Sequence, residues 1–251
     1  MRFVGKTVII TGGGQNLGQH YAERFAGEGA HVVVSDVADT AETVAKVEAA
    51  GGRAVGVAAD VTKMADCAAT AEAAMETFGR IDAVINNAAL YGALTFGPFE
   101  GIEEAEWDAA MAVNVKGIWQ MCKAAVVHMQ ASGGAIVNIA SLAATYGMPN
   151  GLHYTTSKAA VIGLTRGLAR EVARHNIRVN AVAPSIVLTE GTDAFFGDRA
   201  DKAKASVAGA QAIRRSLEPE DVSGTVLHLA SDDASLITGQ TVMVDGGTVM
   251  L

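Results

Sequence analysis

The run YTTSK puts Tyr154 and Lys158 at positions i and i+4, so on a helix the two side chains share one face. A free phenol, with an ordinary pKa of ~10, is a poor base near neutrality, and an ammonium beside it favours the phenolate. A tenfold change in the acid dissociation constant takes ~1.4 kcal/mol of differential interaction between the two protonation states. The pair is a candidate for moving a proton on and off a substrate oxygen. That spacing alone is common on helix surfaces, and a third residue strengthens it. Ser141 closes the apolar run AIVNIAS, 13 residues before Tyr154. A hydroxyl at the carboxyl edge of a parallel sheet, where ligands gather, is placed to hold that oxygen beside the tyrosine.

The stretch TGGGQNLG (11–18) supplies a second kind of site. The short dinucleotide fingerprint G-x-G-x-x-G fails here, because from Gly12 its third glycine would fall at Leu17. A longer spacing fits, with Gly12 ending a strand, Gly18 in the first helical turn, and Gly13 and Gly14 between them. A phosphate-binding turn needs a tight bend, close backbone approach to the pyrophosphate and a helix N-terminus aimed at its charge. Gly12, Gly14, Gln15, Asn16, Leu17 and Gly18 are the loop residues expected to bind cofactor. Asn16 stands where a glycine is expected, and asparagine tolerates left-handed backbone best among non-glycine residues. Asp36 ends the second apolar run, 24 positions after Gly12. A carboxylate there accepts hydrogen bonds from adenosine ribose hydroxyls and repels a 2′-phosphate. Neither Gln15 nor Val37 is a cation that would neutralise such a phosphate, so the expected cofactor is NAD rather than NADP.

The elements that must position these groups are legible as alternating patterns. Continuous β-branched runs at 7–11, 31–36, 54–60, 83–87, 135–141, 178–184 and 241–245 suit strands covered on both faces. Helical spacing fills 15–28, 40–50, 65–78, 103–130 and 154–175. The alternation predicts an α/β fold, a Rossmann-like doubly wound parallel sheet with helices on both faces, in one domain spanning 1–251. The long irregular stretch from Ser185 to about Leu217, with Phe195 and Phe196, is expected to be a substrate lid.

Composition excludes several classes. Half of the residues are hydrophobic, 18% are charged and only four are proline, which suits a chain with a packed core. A net charge of -8 would repel a phosphate backbone, and no basic stripe overcomes it, so no nucleic-acid partner is expected. The apolar run of MRFVGKTVIITGG is far too short for a secretory core, and polar residues interrupt every other apolar stretch. A protein of the cytoplasm with no membrane partner is the expectation. Cys67 and Cys122 are isolated and the six histidines do not cluster, so neither a disulfide nor a metal site is expected. His153 adjoins Tyr154 but would face away from it, which makes it structural.

In order and spacing, TGGGQNLG, Asp60-Val61, NNAA (86–89), Asn114 in AVNVKG, Ser141, Tyr154-Lys158, PSIVLT (184–189) and TGQTVMVDGG (238–247) resemble a classical short-chain dehydrogenase/reductase nearly end to end. The resemblance implies a catalytic set of Asn114, Ser141, Tyr154 and Lys158. It implies that Asp60 and Val61 border the adenine, that Asn86 to Ala88 run along the cofactor, with Asn87 and Ala88 binding it, and that Pro184 to Thr189, through Pro184, Ile186, Val187 and Thr189, contact its nicotinamide end. Tyr154 and Lys158 also touch cofactor in that scheme, Lys158 through the nicotinamide ribose, and Asn114 anchors a water that relays protons. A homotetramer is implied as well. Asn16 for the middle glycine and Ser185 for the glycine after the proline are the departures.

Leu90, Tyr91, Leu94, Phe96, Ala143, Ala144, Met148, Ile186, Phe195 and Phe196 are expected around the substrate. So apolar a set suits a hydrophobic secondary alcohol or its ketone, with Tyr154 as general acid and base. An NADPH-dependent 3-oxoacyl reductase, which shares the TGQTVMVDGG ending, and a non-catalytic dinucleotide-sensing protein are the alternatives; Asp36 disfavours the first and the complete catalytic set the second.

Overall fold

The computed structural model describes residues 1–189, 191–192 and 200–250. Seven strands, β1 (Thr7–Thr11), β2 (His31–Asp36), β3 (Arg53–Ala58), β4 (Ala83–Asn86), β5 (Gly134–Ile139), β6 (Ile177–Pro184) and β7 (Thr241–Val244), form one sheet. Every pairing is parallel and the order is β3-β2-β1-β4-β5-β6-β7. The chain reverses its direction of travel across the sheet between β1 and β4, which opens a crevice at their carboxyl ends.

Helices cover both faces. On one lie α1 (Asn16–Gly27), α2 (Ala41–Ala49) and α9 (Pro219–Ala230), and on the other α3 (Met64–Phe78), α5 (Gly117–Met129) and α7 (Leu152–Val172). Alternate strand residues feed the two layers. Val8, Ile10, Val32 and Val34 pack with Tyr21, Phe25 and Leu227, while Ile9, Val33, Val84 and Ile136 pack with Cys67, Met121, Cys122 and Met129. In α1 the buried residues Gly18, Tyr21, Ala22, Phe25 and Ala26 recur at the helical period, giving one apolar stripe toward the sheet. Both cysteines are free and buried, as core thiols.

Three sequence expectations are revised. The helix expected over 103–130 is α4 (Glu104–Met111), a π turn (Ala112–Lys116) and α5, with Asn114 inside the π turn. The stretch expected to be irregular from 185 to 217 contains helix α8 (Ala200–Ala210), whose alanine-rich sequence favours that conformation once packing supplies a face. The helix expected over 154–175 starts at Leu152, so Tyr154 lies in its first turn, and ends at Val172 with a 3₁₀ turn to His175. Between Ser141 and α7 runs a short helix, α6 (Ala143–Tyr146).

The carboxyl edge of the sheet is pinned by a buried polar chain. Asn86 and Asn138 face each other in register, Asn86 Nδ2 donates to Asn138 Oδ1 at 2.8 Å, and Asn138 Nδ2 donates to Thr165 Oγ1 of α7 at 2.9 Å. Asn138 is fully buried, so removing it takes one hydrogen bond from each of two polar partners and leaves Asn86 Nδ2 with only a weak thiol acceptor, Cys122. Asn138→Ala is expected to lower the unfolding free energy by ~2–4 kcal/mol, measured by urea denaturation. A loss under about 0.5 kcal/mol would show that the chain of amides is incidental.

Candidate active site

The glycine loop leaves β1 and turns into α1, and its backbone is held from three sides. Gly12 has φ 62° and Asn16 φ 51°, both left-handed, so the asparagine fills the backbone role expected of a glycine. A Cβ on Gly18 would lie 1.9 Å from the Gly12 carbonyl oxygen, a contact that no side chain survives. Thr43 Oγ1 of α2 donates to the Gly13 and Gly14 carbonyls at 3.0 and 3.2 Å. Asp36 takes the Gly14 N–H on Oδ2 at 2.8 Å and the Ala38 N–H on Oδ1 at 2.9 Å. The carboxylate predicted to read a ribose therefore also braces the loop.

The NNAA segment after β4 is stitched to the same loop. Thr11 Oγ1 accepts the Asn87 and Ala88 N–H groups, each at 3.1 Å, and Asn87 Nδ2 donates to the Thr11 and Gly12 carbonyls at 3.1 and 2.9 Å. Val61 is fixed by α5, where Gln120 Nε2 donates to its carbonyl at 2.6 Å and Gly117 offers the space for its side chain.

The catalytic candidates meet at the carboxyl ends of β5 and β6. Lys158 is 3% exposed and donates from Nζ to the Ile139 carbonyl at 2.8 Å. Its Nζ lies 5.8 Å from the centroid of the Tyr154 ring. Burial pulls the Lys158 ammonium down from 10.5 to about 8. Burial pushes the Tyr154 phenol up to about 12, against a hydrogen bond from Ser141 that favours the phenolate and with Tyr146 adding to the rise. In this geometry Ser141 is the neighbour that lowers the phenol. Behind Tyr154, the Tyr91 ring packs at 5.0 Å and the Phe96 ring at 6.4 Å between centroids. His153 is buried, with its ring 5.7 Å from that of Phe96 and Nδ1 accepting the Tyr154 N–H at 2.9 Å.

Asn114 joins these parts from outside the cavity. Its Oδ1 accepts the Leu90 N–H at 2.6 Å, and its Nδ2 donates to the Leu90 carbonyl at 3.1 Å and to Ser157 Oγ at 3.0 Å. The side chain thus ties the segment following NNAA to the helix carrying Tyr154 and Lys158. A π turn places it there, an irregularity that recurs at functional sites.

One cavity of about 800 Å³ runs from Asp36, Asp60 and Val61 past the glycine loop to Ser141, Tyr154 and Lys158. Gly12, Gln15, Asn16, Leu17, Gly18, Asn87 and Ala88 line its middle, and Pro184, Ile186, Val187 and Thr189 its far wall. Gly14 and Asn114 do not line it. Of the expected substrate residues, Leu90, Tyr91, Ala143, Met148 and Ile186 do, whereas Leu94, Phe96 and Ala144 lie behind the wall; Phe195 and Phe196 fall outside the described residues. Sequence reading missed Tyr146, Ser206, Val207, Ala210 and Thr248, which also line it. The helical propensity of ADKAKASVAGA was the available signal for the middle three. Lys158 is the one cation among the described lining residues. No cluster of potential metal ligands occurs among the described residues, and no helix among them is long and apolar enough to cross a membrane.

This cavity, with glycine-only packing at its centre and a phenol, a hydroxyl and an ammonium at one end, fits an extended dinucleotide laid across the crevice with its reactive end near Tyr154. Comparison with known proteins agrees in class. Residues 12–249 match a family model described as enoyl-(acyl carrier protein) reductase. The chain is 38% identical to galactitol 2-dehydrogenase of Agrobacterium fabrum, with all of both chains covered. It is 35% identical to the 3-oxoacyl-acyl-carrier-protein reductase FabG of Thermotoga maritima, again over the whole of both. A crystal structure of a putative short-chain alcohol dehydrogenase from Sinorhizobium meliloti 1021 superposes with a TM-score of 0.91 at 37% identity, covering 98% of this chain and 97% of that one. The chain belongs to the classical short-chain dehydrogenase/reductase family and is an oxidoreductase.

The buried amine has a measurable consequence for stability. Because its pKa is about 8 folded against 10.5 ordinarily, the unfolded chain binds more protons between those values, and stability rises with pH across that window. Below pH ~8 the full penalty applies, on the order of 3 kcal/mol. Lys158→Met removes it, so the difference in unfolding free energy between this variant and the parent should shrink by ~1–3 kcal/mol from pH 7 to pH 10. Parallel pH profiles in urea titrations would contradict a desolvated amine.

Proposed function

We propose that the protein is an NAD-dependent short-chain alcohol dehydrogenase that interconverts a hydrophobic secondary alcohol and its ketone. The observation that carries this is the sharing of one cavity by Asp36 at one end and Ser141, Tyr154 and Lys158 at the other. A nicotinamide dinucleotide, when bound, accepts the hydride from the alcohol carbon or returns it. Tyr154 takes the hydroxyl proton at its phenol oxygen, and gives it back in carbonyl reduction. Ser141, whose hydroxyl favours the phenolate and lines the same cavity, holds the substrate oxygen beside it. Lys158 contributes a dry positive charge on the same helix face and would reach the nicotinamide ribose. Since the Asn114 amide is committed to Leu90 and Ser157, the proposed water relay rests on the Asn114 main-chain carbonyl, in a turn where the ordinary helical ladder is interrupted.

NAD is favoured over NADP by charge. Each Asp36 oxygen accepts one backbone N–H and keeps a lone pair for a ribose hydroxyl, and Asp60 adds a second carboxylate at that end of the cavity. A 2′-phosphate would meet two like charges and no lining cation, which disfavours the 3-oxoacyl reductase reading in its NADPH-dependent form. The substrate end is apolar. Leu90, Met148, Ile186, Val207 and the rings of Tyr91 and Tyr146 surround it, and its polar groups, the hydroxyls of Tyr91, Tyr146, Ser185, Ser206 and Thr248, are neutral. That lining favours a neutral, hydrophobic substrate over the polyol named for the Agrobacterium relative or a charged metabolite. Trp119 and Val127, both large and exposed on α5, suit the subunit contacts of a homotetramer.

Tyr154→Phe is expected to reduce turnover by ~10³-fold or more while NADH affinity, read by fluorescence titration, stays within about threefold. Retained turnover would move proton transfer to another group. Asp36→Ala should narrow the preference for NAD over NADP and also weaken NAD binding about tenfold, because it frees the Gly14 N–H as well as the ribose. A panel of secondary alcohols and ketones, followed by nicotinamide absorbance with both coenzymes, tests the substrate class; faster turnover of polyols than of alkyl or alicyclic alcohols would overturn it.

A further inference from the structure

Asn16 does more than fill a left-handed backbone position. Its side-chain Oδ1 accepts the Gly191 N–H at 3.1 Å, joining the glycine loop to the turn that follows β6, 175 positions further along the chain. The contact is close, since a Cβ on Gly191 would stand 3.3 Å from Asn16 Nδ2. The far side of the bridge is itself anchored. Thr192 Oγ1 donates to the Val187 carbonyl at 2.7 Å, Thr192 N donates to Thr189 Oγ1 at 3.1 Å, and Leu188 N donates to the Leu217 carbonyl at 2.8 Å. Asn16, Thr189, Gly191 and Thr192 all line the large cavity, between its Asp36 end and its Tyr154 end.

We infer that Asn16 is a latch across the cofactor groove, one that slows release of the dinucleotide. A glycine at this position would supply the backbone geometry and no bond; asparagine supplies both, because its short amide tolerates a positive φ and reaches the opposite wall. The bond spans the groove beside the N-terminus of α1, where a pyrophosphate is expected to sit, so a ligand held there leaves only after this wall has moved away from the loop. Asn16 is a positioning residue in this account, and its action runs through Gly191. The inference rests on the dinucleotide reading of the cavity.

The test is the rate of NADH release, measured by displacement in a stopped-flow fluorimeter, for the parent chain, Asn16→Gly, Gly191→Pro and the double variant. Gly191→Pro removes the N–H that Asn16 accepts, from the opposite side of the groove. Loss of one neutral hydrogen bond predicts release about three- to tenfold faster in each single variant, or ~0.7–1.4 kcal/mol. The double variant should be no faster than either single one, and thermal unfolding reports whether each chain is folded. Unchanged release in Asn16→Gly overturns the latch, as do additive effects in the double variant, which would mean that Asn16 contacts cofactor independently of Gly191. Where release limits turnover, kcat rises in step with it. Failure of the parent chain to bind either NADH or NADPH would instead refute the cofactor reading, an outcome distinct from unaltered release.

Discussion

The site depends on an amine taken out of water. Lys158 is almost wholly buried, with one protein acceptor for its ammonium, the Ile139 carbonyl at the end of β5. Desolvation favours its neutral form, and in the same dry pocket desolvation favours the neutral form of the Tyr154 phenol. The amine at about 8 and the phenol at about 12 thus stand further apart than their nearly equal free values, so burial alone opposes passing the phenol proton to the amine. Burial keeps the phenol protonated near neutrality, and a positive charge beside it would favour the phenolate.

Holding an ammonium in such a place requires rigid surroundings, and the sheet supplies them. The reversal between β1 and β4 opens the crevice, and short polar ties keep its two lips in register: Thr11 and Asn87 at the glycine loop, Asn86, Asn138 and Thr165 between β4, β5 and α7. Asn114 closes the ring by joining the chain after β4 to the catalytic helix. Several residues that read from sequence as ligands of a cofactor are also ties of the scaffold. Asp36 braces the Gly14 amide as well as facing the cavity, and Asn87 commits its amide to the glycine loop. A change at Asp36 therefore disturbs the order of the glycine loop as well as the charge of the cavity.

Much of this was legible in the sequence because strong local rules agreed. Continuous β-branched runs gave parallel strands, helical periods gave the covering helices, and Tyr154-Lys158 on one helix face followed from spacing alone. The glycines at 12 and 18 could be recognised because only a missing Cβ permits the approach found there. Asn16 was readable as a left-handed residue, since its backbone tolerance is intrinsic to the amino acid. Ser141 and Asp36 were placed by the rule that ligands meet parallel strands at their carboxyl ends.

Tertiary structure decided what local rules do not encode. A π turn at Asn114 has no sequence period of its own, so one uninterrupted helix was the natural reading of 103–130. Helix α8 has weak amphipathic character and owes its place to the cavity wall it completes, which is why Ser206, Val207 and Ala210 were missed. That Asn16 reaches Gly191 is a contact across 175 positions, fixed by how the loop after β6 folds back over the loop after β1. The identities of the reacting groups are written in the chain; the dryness around them, and the bonds that assign each polar atom to scaffold or to ligand, exist only when distant segments exclude water together.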